Sequence, residues 1–290
     1  MQFNYHSPKS ETELAALLNG MEDYCLLAGG TDVMVKMKEK LISPRNLVDV
    51  SGIESLKGIR ETADSLWIGP LVTHRELMDS PVMNAKTAAL CLAASEVGSP
   101  QIRNAGTLGG NIGNASPAAD TVPALLALDA KVQLNSANGT ETLPLDKVFV
   151  GPGRTCLKPG QYIAGIHVSP VAAGEGAAFA KFGKRKALAC SIVNGAIWVR
   201  VQGGVITAAR IALGSVGPTP VRLYDTEKWL VGRKPEPAVF AEAGLQAEQS
   251  VRPIDDVRCT ATHRGKLARV TVQRCLEAAT KQAMEVCVCE

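Results

Sequence analysis

The chain has 290 residues, of which 46% are apolar and 20% are charged, and it carries a formal net charge of +3. This length exceeds one comfortable hydrophobic core and predicts two domains, while the near-neutral charge gives no basis for nucleic-acid binding. No run of about 18 or more uncharged apolar residues is present to span a membrane. The N-terminus lacks the charged and apolar regions of a signal peptide, so we expect a cytoplasmic protein.

The first 55 residues predict a β-α-β-like unit, which we interpret as the first lobe of a larger domain. Ser10-Glu-Thr-Glu13 has the pattern of a capping box at the start of a helix that ends before Gly20. Strands are predicted over residues 25–28 and 47–50, with a short helix over 33–38 between them.

Residues 56–172 predict a second lobe. Thr73-His-Arg-Glu76 is a second capping box, and we expect its His74 to be exposed in the first turn of the helix. Asn138-Gly139 predicts a tight hairpin turn. The remaining predicted elements are strands over 64–69, 131–135, 141–143 and 161–168 and helices over 84–97 and 123–128.

The small residues of segment 171–177 predict a flexible boundary between a domain of residues 1–172 and a domain of residues 177–290. Three strands, joined in part by a Gly203-Gly204 hairpin, then precede three helices, which indicates an α+β module with a three-stranded antiparallel sheet. The predicted strands cover 178–182, 191–201 and 205–213, and the predicted helices cover 222–231, 237–250 and 263–286.

The eight cysteines have no metal-binding spacing, since none forms Cys-x-x-Cys and only Cys287 and Cys289 are close in sequence. Both the plant-type iron–sulfur pattern and the zinc patterns are absent. We therefore expect reduced cysteines that act as small apolar residues. Any iron–sulfur centre that serves this protein is expected on another chain.

The stretch from Gly98 to Asp120 contains five glycines and two prolines, so it cannot form one strand or one helix throughout. A loop of this length inside a compact chain is usually functional or disordered. The apolar residues Ile102, Leu108 and Ile112 favour an ordered, functional loop.

Two glycine pairs occur next to predicted strands or helices. Thr107-Leu-Gly-Gly-Asn111 lies at the centre of the long stretch, and Ala28-Gly-Gly-Thr-Asp32 follows a predicted strand. Paired glycines let the backbone approach a ligand and direct N–H groups at an anion. One such pair is as readily a plain turn, whereas two suit a diphosphate that is held from both sides.

The segments Leu26-Leu-Ala-Gly-Gly-Thr-Asp-Val33 and Gln101-Ile-Arg-Asn-Ala-Gly-Thr-Leu-Gly-Gly-Asn-Ile112, followed by Ser116-Pro-Ala-Ala-Asp120, resemble the FAD-binding subunit of molybdenum hydroxylases. This family includes xanthine, nicotinate and carbon monoxide dehydrogenases. The resemblance covers essentially the whole chain. It implies an α+β protein with a two-lobed FAD-binding domain of the p-cresol methylhydroxylase/vanillyl-alcohol oxidase type, followed by a C-terminal α+β domain.

The resemblance also implies which residues contact FAD. The first loop would bind the diphosphate through backbone N–H groups, with Asp32 accepting backbone hydrogen bonds that keep the loop in shape. Gly98 would permit a close approach before the second loop, which is the second diphosphate clamp. The first loop is Leu26, Leu27, Ala28, Gly29, Gly30, Thr31, Asp32 and Val33, and the second is Thr107, Leu108, Gly109, Gly110 and Asn111.

Three further positions match the family. Asp120 matches an acidic residue near the sugar portion of the flavin, although it also fits a helix cap. Ile163 matches an apolar residue near the cofactor, although it also fits an ordinary strand position. Lys181 matches a lysine beside the isoalloxazine ring, where a cation would stabilise the reduced flavin. Its alternative is a solvated strand edge.

The function implied by the resemblance is electron transfer, without a catalytic acid or base or a metal ligand on this chain. A large subunit with molybdopterin would hydroxylate an N-heterocycle of the xanthine/purine or nicotinate type. A small subunit would pass electrons from [2Fe–2S] clusters to FAD, and NAD(P)+ or another acceptor would receive them. The family assembly would be a dimer of heterotrimers.

Many relatives carry an acidic residue where this chain has Ala187-Leu-Ala-Cys-Ser191, and this departure favours nicotinate-like over xanthine-type relatives. Two alternatives to the hydroxylase subunit stay open. One is a self-sufficient FAD-dependent oxidoreductase with its own organic substrate, and the other is an assembly module without FAD. Intact glycine pairs argue against the assembly module.

Overall fold

The computed structural model describes residues 2–185 and 187–285. Lys186 and residues 286–290 lie outside the described residues, so the predicted end of the last helix and both C-terminal cysteines do too. The described chain is α+β, as predicted, and it contains no helix long and apolar enough to cross a membrane.

A small parallel sheet in the order β1-β3-β2 forms the first lobe, and residues of α1 share an apolar cluster with it. The Ser10 hydroxyl accepts the Glu13 N–H, as a capping box requires, but the Glu13 carboxylate accepts the N–H of Lys9 instead of Ser10. The elements of the first lobe are β1 (Asn4–His6), α1 (Glu11–Leu18), β2 (Tyr24–Leu27), α2 (Val33–Lys38) and β3 (Asn46–Asp49).

The second lobe combines five helices with a five-stranded antiparallel sheet in the order β4-β5-β10-β6-β7, and β8 pairs only with β9. The Asn138-Gly139 turn joins β6 to β7 as predicted. The elements are β4 (Ile59–Glu61), β5 (Leu66–Ile68), α3 (His74–Asp79), α4 (Pro81–Ser95), α5 (Pro100–Ala105), α6 (Leu108–Asn114), α7 (Thr121–Ala127), β6 (Lys131–Ser136), β7 (Gly139–Pro144), β8 (Phe149–Gly151), β9 (Arg154–Thr155) and β10 (Tyr162–Val168).

Much of the stretch from Gly98 to Asp120 is helical, and this corrects the prediction of a long loop. Ser99 caps α5, whose first residue is Pro100, and Thr107 caps α6 with its side chain. Both capping side chains accept an N–H three residues later, and proline suits the first helical position. The glycines therefore lie within or between short helices.

The C-terminal domain has a sheet in the order β11-β12-β13-β14, so the predicted three strands gain a short fourth strand. Ala177 and Phe179 of β11 pack into the core of the second lobe, whereas Ala178 packs with the C-terminal helices. The sheet is thus buried on both faces. Its elements are β11 (Glu175–Phe182), β12 (Val193–Gln202), β13 (Val205–Gly214), β14 (Val221–Arg222), α8 (Tyr224–Leu230), α9 (Pro237–Ser250) and α10 (Ala261–Glu285).

Segment 171–177, which the sequence predicts as a flexible boundary, already contains the start of β11. The Val171 N–H donates to the Lys86 carbonyl at 2.8 Å, and β11 already begins at Glu175. A Cβ on Gly176 would lie 1.9 Å from the Ala279 carbonyl oxygen, so α10 can approach β11 only because this residue is glycine.

Candidate functional site

The two glycine motifs lie against each other. A Cβ on Gly29 would lie 1.7 Å from the carbonyl oxygen of Ala105, the last residue of α5. A Cβ on Gly106 would lie 3.5 Å from the Thr31 hydroxyl oxygen. The fold therefore brings the first loop and the α5–α6 turn, about 75 residues later in the chain, into one site.

The first loop offers free backbone donors. Gly30 has φ of +71°, a conformation that glycine adopts without strain. The N–H groups of Gly29, Gly30, Thr31 and Asp32 have no protein acceptor within residues 2–185 and 187–285. Because backbone donors in folded proteins are nearly always paired, with protein, water or ligand, such a run suits the phosphate oxygens of FAD.

The second loop is different, because four of its five N–H groups, those of Leu108 to Asn111, are already paired. Leu108 donates to the Val72 carbonyl at 2.9 Å, and Gly109 donates to the Pro70 carbonyl at 2.9 Å. The Gly110 N–H donates to the Thr107 hydroxyl at 3.1 Å, and the Asn111 N–H donates to the Thr107 carbonyl at 2.9 Å. These four groups fix the start of α6 and are not free to bind a ligand, whereas the Thr107 N–H has no acceptor among the described residues. A Cβ on Gly110 would meet only the Thr107 hydroxyl within 4 Å, so what this loop retains is an open face.

Asp32 binds a side chain at the end of α6. Its carboxylate accepts from the Asn114 amide at 3.1 Å, and the Asn114 amide oxygen accepts from the Lys36 ammonium at 2.6 Å. Asp32 precedes α2 but makes no capping bond, so the expectation that it accepts backbone N–H groups is wrong. Sequence reasoning missed Asn114 and Lys36, because nothing in their local pattern indicates a partner about 80 residues away.

Asp120 and Lys181 contact each other. The Lys181 ammonium donates to Asp120 Oδ2 at 2.7 Å and to the Glu96 carbonyl at 2.7 Å. The Lys181 side chain is 6% exposed and the Asp120 side chain is 9% exposed, so the alternative of a solvated strand edge is wrong for Lys181. Asp120 precedes α7 without a capping bond, so the helix-cap alternative is wrong as well.

Two further donors hold Asp120 from the C-terminal domain. The Ser191 hydroxyl donates to Asp120 Oδ1 at 2.5 Å, and the Asn194 amide donates to the same oxygen at 2.8 Å. The carboxylate therefore balances the charge of Lys181. The sequence led us to expect a net positive charge from Lys181 beside the flavin ring. The ion pair with Asp120 instead leaves this pair of side chains without a net charge.

The remaining predicted positions are spread over several elements. The Thr121 hydroxyl donates to the Asn111 side chain at 2.8 Å, which ties α6 to α7 beside Asp120. Gly98 has φ of +48° and lies two residues after Glu96, whose carbonyl accepts from Lys181 just past the end of α4. Ile163 is half-buried on β10, a strand in contact with α6. Leu26 and Leu27 end β2, Ala28 leads into the loop, Val33 starts α2, and Leu108 is buried.

His74 is buried, which corrects the prediction of an exposed residue. Its capping box forms as predicted, but α3 packs against α5, so the ring lies beneath the turn at Gly106. Burial, and secondarily the charge of Arg103, lower the pKa of His74 from 6.5 to about 4. The imidazole is therefore neutral near pH 7.

Comparison with known proteins supports a flavin site. Residues 1–170 match the family described as the FAD binding domain in molybdopterin dehydrogenase, and residues 178–279 match the CO dehydrogenase flavoprotein C-terminal domain. The carbon monoxide dehydrogenase medium chain of Hydrogenophaga pseudoflava is 34% identical over 96% of this chain and 97% of its own. The nicotinate dehydrogenase FAD-subunit of Eubacterium barkeri is 35% identical over 79% of this chain and 80% of its own.

Solved structures agree. The carbon monoxide dehydrogenase of Hydrogenophaga pseudoflava superimposes with a TM-score of 0.94 at 33% identity, over 97% of this chain and 98% of that chain. Quinoline 2-oxidoreductase from Pseudomonas putida 86 gives a TM-score of 0.91 at 27% identity, over 98% and 99%. The fold and the glycine loop thus define a FAD-binding oxidoreductase subunit. The chain belongs to the family of FAD-binding medium subunits of molybdenum hydroxylases.

Proposed function

We propose that this chain transfers electrons within a molybdenum hydroxylase of three kinds of subunit. It receives electrons from [2Fe–2S] clusters on a small subunit, while a large subunit with molybdopterin oxidises the substrate. The observation that carries the proposal is the run of four free N–H groups at Gly29, Gly30, Thr31 and Asp32, in a chain whose relatives are medium chains.

FAD, when bound, supplies the redox chemistry, and the residues of this chain bind and orient it. The first loop holds the diphosphate through its N–H groups. The open face of α6 at Gly110 lies along the cofactor. The Asp120–Lys181 pair faces the sugar and ring portion, with Ile163 as an apolar neighbour. The free donors and the buried pair support these assignments, which rest otherwise on the resemblance to the family.

An N-heterocycle is the proposed substrate of the whole complex, of the purine or the nicotinate type. Relatives named for such compounds include the nicotinate dehydrogenase FAD-subunit, the nicotine 6-hydroxylase medium subunit of Paenarthrobacter nicotinovorans and quinoline 2-oxidoreductase. The proposed acceptor of electrons is NAD(P)+ or another oxidant, and the proposed assembly is a dimer of heterotrimers.

Purification of the intact complex from its native host tests this function. We expect a flavin absorption spectrum, iron and molybdenum in the metal analysis, and two companion chains. Anaerobic mixing of the substrate-reduced complex with NAD+, NADP+ or oxygen then identifies the acceptor. A lone yellow chain that oxidises an organic substrate without metals would favour the self-sufficient oxidoreductase, and a colourless chain would overturn FAD binding.

A further inference from the structure

We propose that Ser191 and Asn194 are positioning residues that orient the Asp120 carboxylate toward FAD. The C-terminal domain then completes the cofactor site and is more than a surface for partner subunits. This inference rests on the proposed contact between Asp120 and FAD.

The two carboxylate oxygens of Asp120 have different hydrogen-bond partners. Oδ1 accepts both the Ser191 hydroxyl, at 2.5 Å, and the Asn194 amide, at 2.8 Å. Oδ2 accepts only the Lys181 ammonium among the described residues. Because a carboxylate oxygen can accept about two hydrogen bonds, Oδ2 keeps one free position, which suits a hydroxyl of the flavin side chain.

Burial and neighbouring hydrogen bonds fix the positions of both donors. Ser191 and Asn194 are fully buried. The Ser191 carbonyl accepts from the Arg258 guanidinium at 2.9 Å and from the Ser215 hydroxyl at 3.1 Å, which holds the backbone at this point. A Cβ on Gly214 would lie 2.1 Å from Asn194 Oδ1, so this asparagine fits only beside a glycine.

Packing alone does not require such an arrangement. Buried polar groups cost free energy unless they are hydrogen-bonded, and an apolar pair would join two surfaces without that cost. Here two neutral donors and one cation converge on a single carboxylate. This convergence fixes the rotation of the Asp120 side chain as well as its charge.

Ser191→Ala and Asn194→Ala in the full chain test the proposal. Each change removes one donor, so we expect about 10-fold weaker binding of FAD to the FAD-stripped protein, since hydrogen bonds to charged groups contribute more than neutral ones. We also expect a changed visible circular dichroism of the bound flavin. The double variant should lose less than the product of the single effects, because both residues act through the same carboxylate.

Thr280→Val is the matched control, because it deletes a buried hydroxyl that bonds the Leu276 carbonyl on the helical side of the sheet. It should lower the unfolding temperature without changing FAD affinity. Ser191→Cys keeps the shape with a weaker donor and should fall between serine and alanine, even if an alanine variant folds poorly.

The proposal is wrong if all Ser191 and Asn194 variants keep wild-type FAD affinity and a wild-type flavin spectrum and only their unfolding temperatures fall. In that case the two residues serve only to hold the domains together. A wild-type chain that rebinds no FAD would instead overturn the proposed function, and the inference with it. The two failures are therefore distinguishable.

Discussion

Gly29→Ala should push the first loop away from the end of α5, where the two come closest. The added Cβ would lie 1.7 Å from the Ala105 carbonyl oxygen, and real Cβ atoms essentially never come within 3.0 Å of another heavy atom. The separation must therefore grow by about 1.3 Å. This clash involves backbone on both sides, so no rotation of a side chain relieves it.

The expected cost follows from the usual penalty for overpacking, about 1–3 kcal/mol. If the first loop moves to relieve the clash, its N–H groups leave their positions around the diphosphate. The same free energy then appears in cofactor binding as a loss of about 5- to 150-fold in affinity. If the loop does not move, the cost appears as a lower free energy of unfolding.

The assay combines FAD titration of the stripped protein with urea unfolding of the same sample. Gly217→Ala is the matched control, because its Cβ would meet its nearest neighbour, the Thr219 carbonyl oxygen, at 3.5 Å, an ordinary contact that involves neither loop. We expect wild-type affinity and stability for Gly217→Ala. Wild-type FAD affinity together with wild-type stability in Gly29→Ala would refute the close approach of the two glycine motifs.

Three further predictions concern charge. Lys181→Met should lower the reduction potential of the flavin and Asp120→Asn should raise it. The double variant should have a potential near that of the wild type, because the two charges balance. A redox titration of all three variants checks this, and a double variant with the potential of Lys181→Met would contradict it. His74 has a folded pKa of about 4 against 6.5 in the unfolded chain, so stability should fall as pH decreases from about 6.5 towards 4. Urea unfolding should show about 2 kcal/mol lost between pH 7.5 and 5 from this residue, a loss absent in His74→Phe; equal pH slopes in both proteins would count against it. Asn114→Ala should break the bridge between Asp32 and Lys36 and weaken FAD binding about 5-fold, as fluorescence titration would show, whereas unchanged affinity would make the bridge irrelevant to the cofactor.

Local signals in the sequence predicted most of the regular structure. Thr73 and Glu76 form the expected capping box, and Gly203 and Gly204 both have positive φ in the turn between β12 and β13. Long apolar strands were predictable because they are buried on both faces of their sheet. The strands that the sequence analysis missed, such as β1 and β4, are short and largely exposed, so they lack an apolar pattern.

The Gly98–Asp120 stretch shows why composition can mislead. Glycine and proline argue against helix when they are counted, yet Pro100 and the capping residues Ser99 and Thr107 occupy the positions where a helix favours them. The position of a proline or a capping residue relative to the helix start is therefore more informative than the number of glycines and prolines. The same lesson applies to Gly176, where a small residue reflects a close helix and not a flexible linker.

The sequence proposes a set of site residues, but it does not predict the contacts among them. Family motifs single out Asp120 and Lys181, but no local pattern indicates that they bind each other across 61 positions. Strand alternation offered a partial clue, since Lys181 has the same parity on β11 as Ala177 and Phe179, which pack into the second lobe. Pairing of distant side chains depends on tertiary packing, which a single sequence does not display.

The donors around Asp120 come from a different domain than Asp120 itself. Asp120 precedes α7 in the second lobe, yet Ser191, Asn194 and Lys181 all come from the C-terminal domain. Lys181 also binds the Glu96 carbonyl at the end of α4, so one ammonium joins both ends of the long glycine-containing stretch to β11. A carboxylate that is oriented and neutralised from another domain cannot keep its position when that domain is displaced. The position of the Asp120–Lys181 pair therefore depends on the contact between the second lobe and the C-terminal sheet.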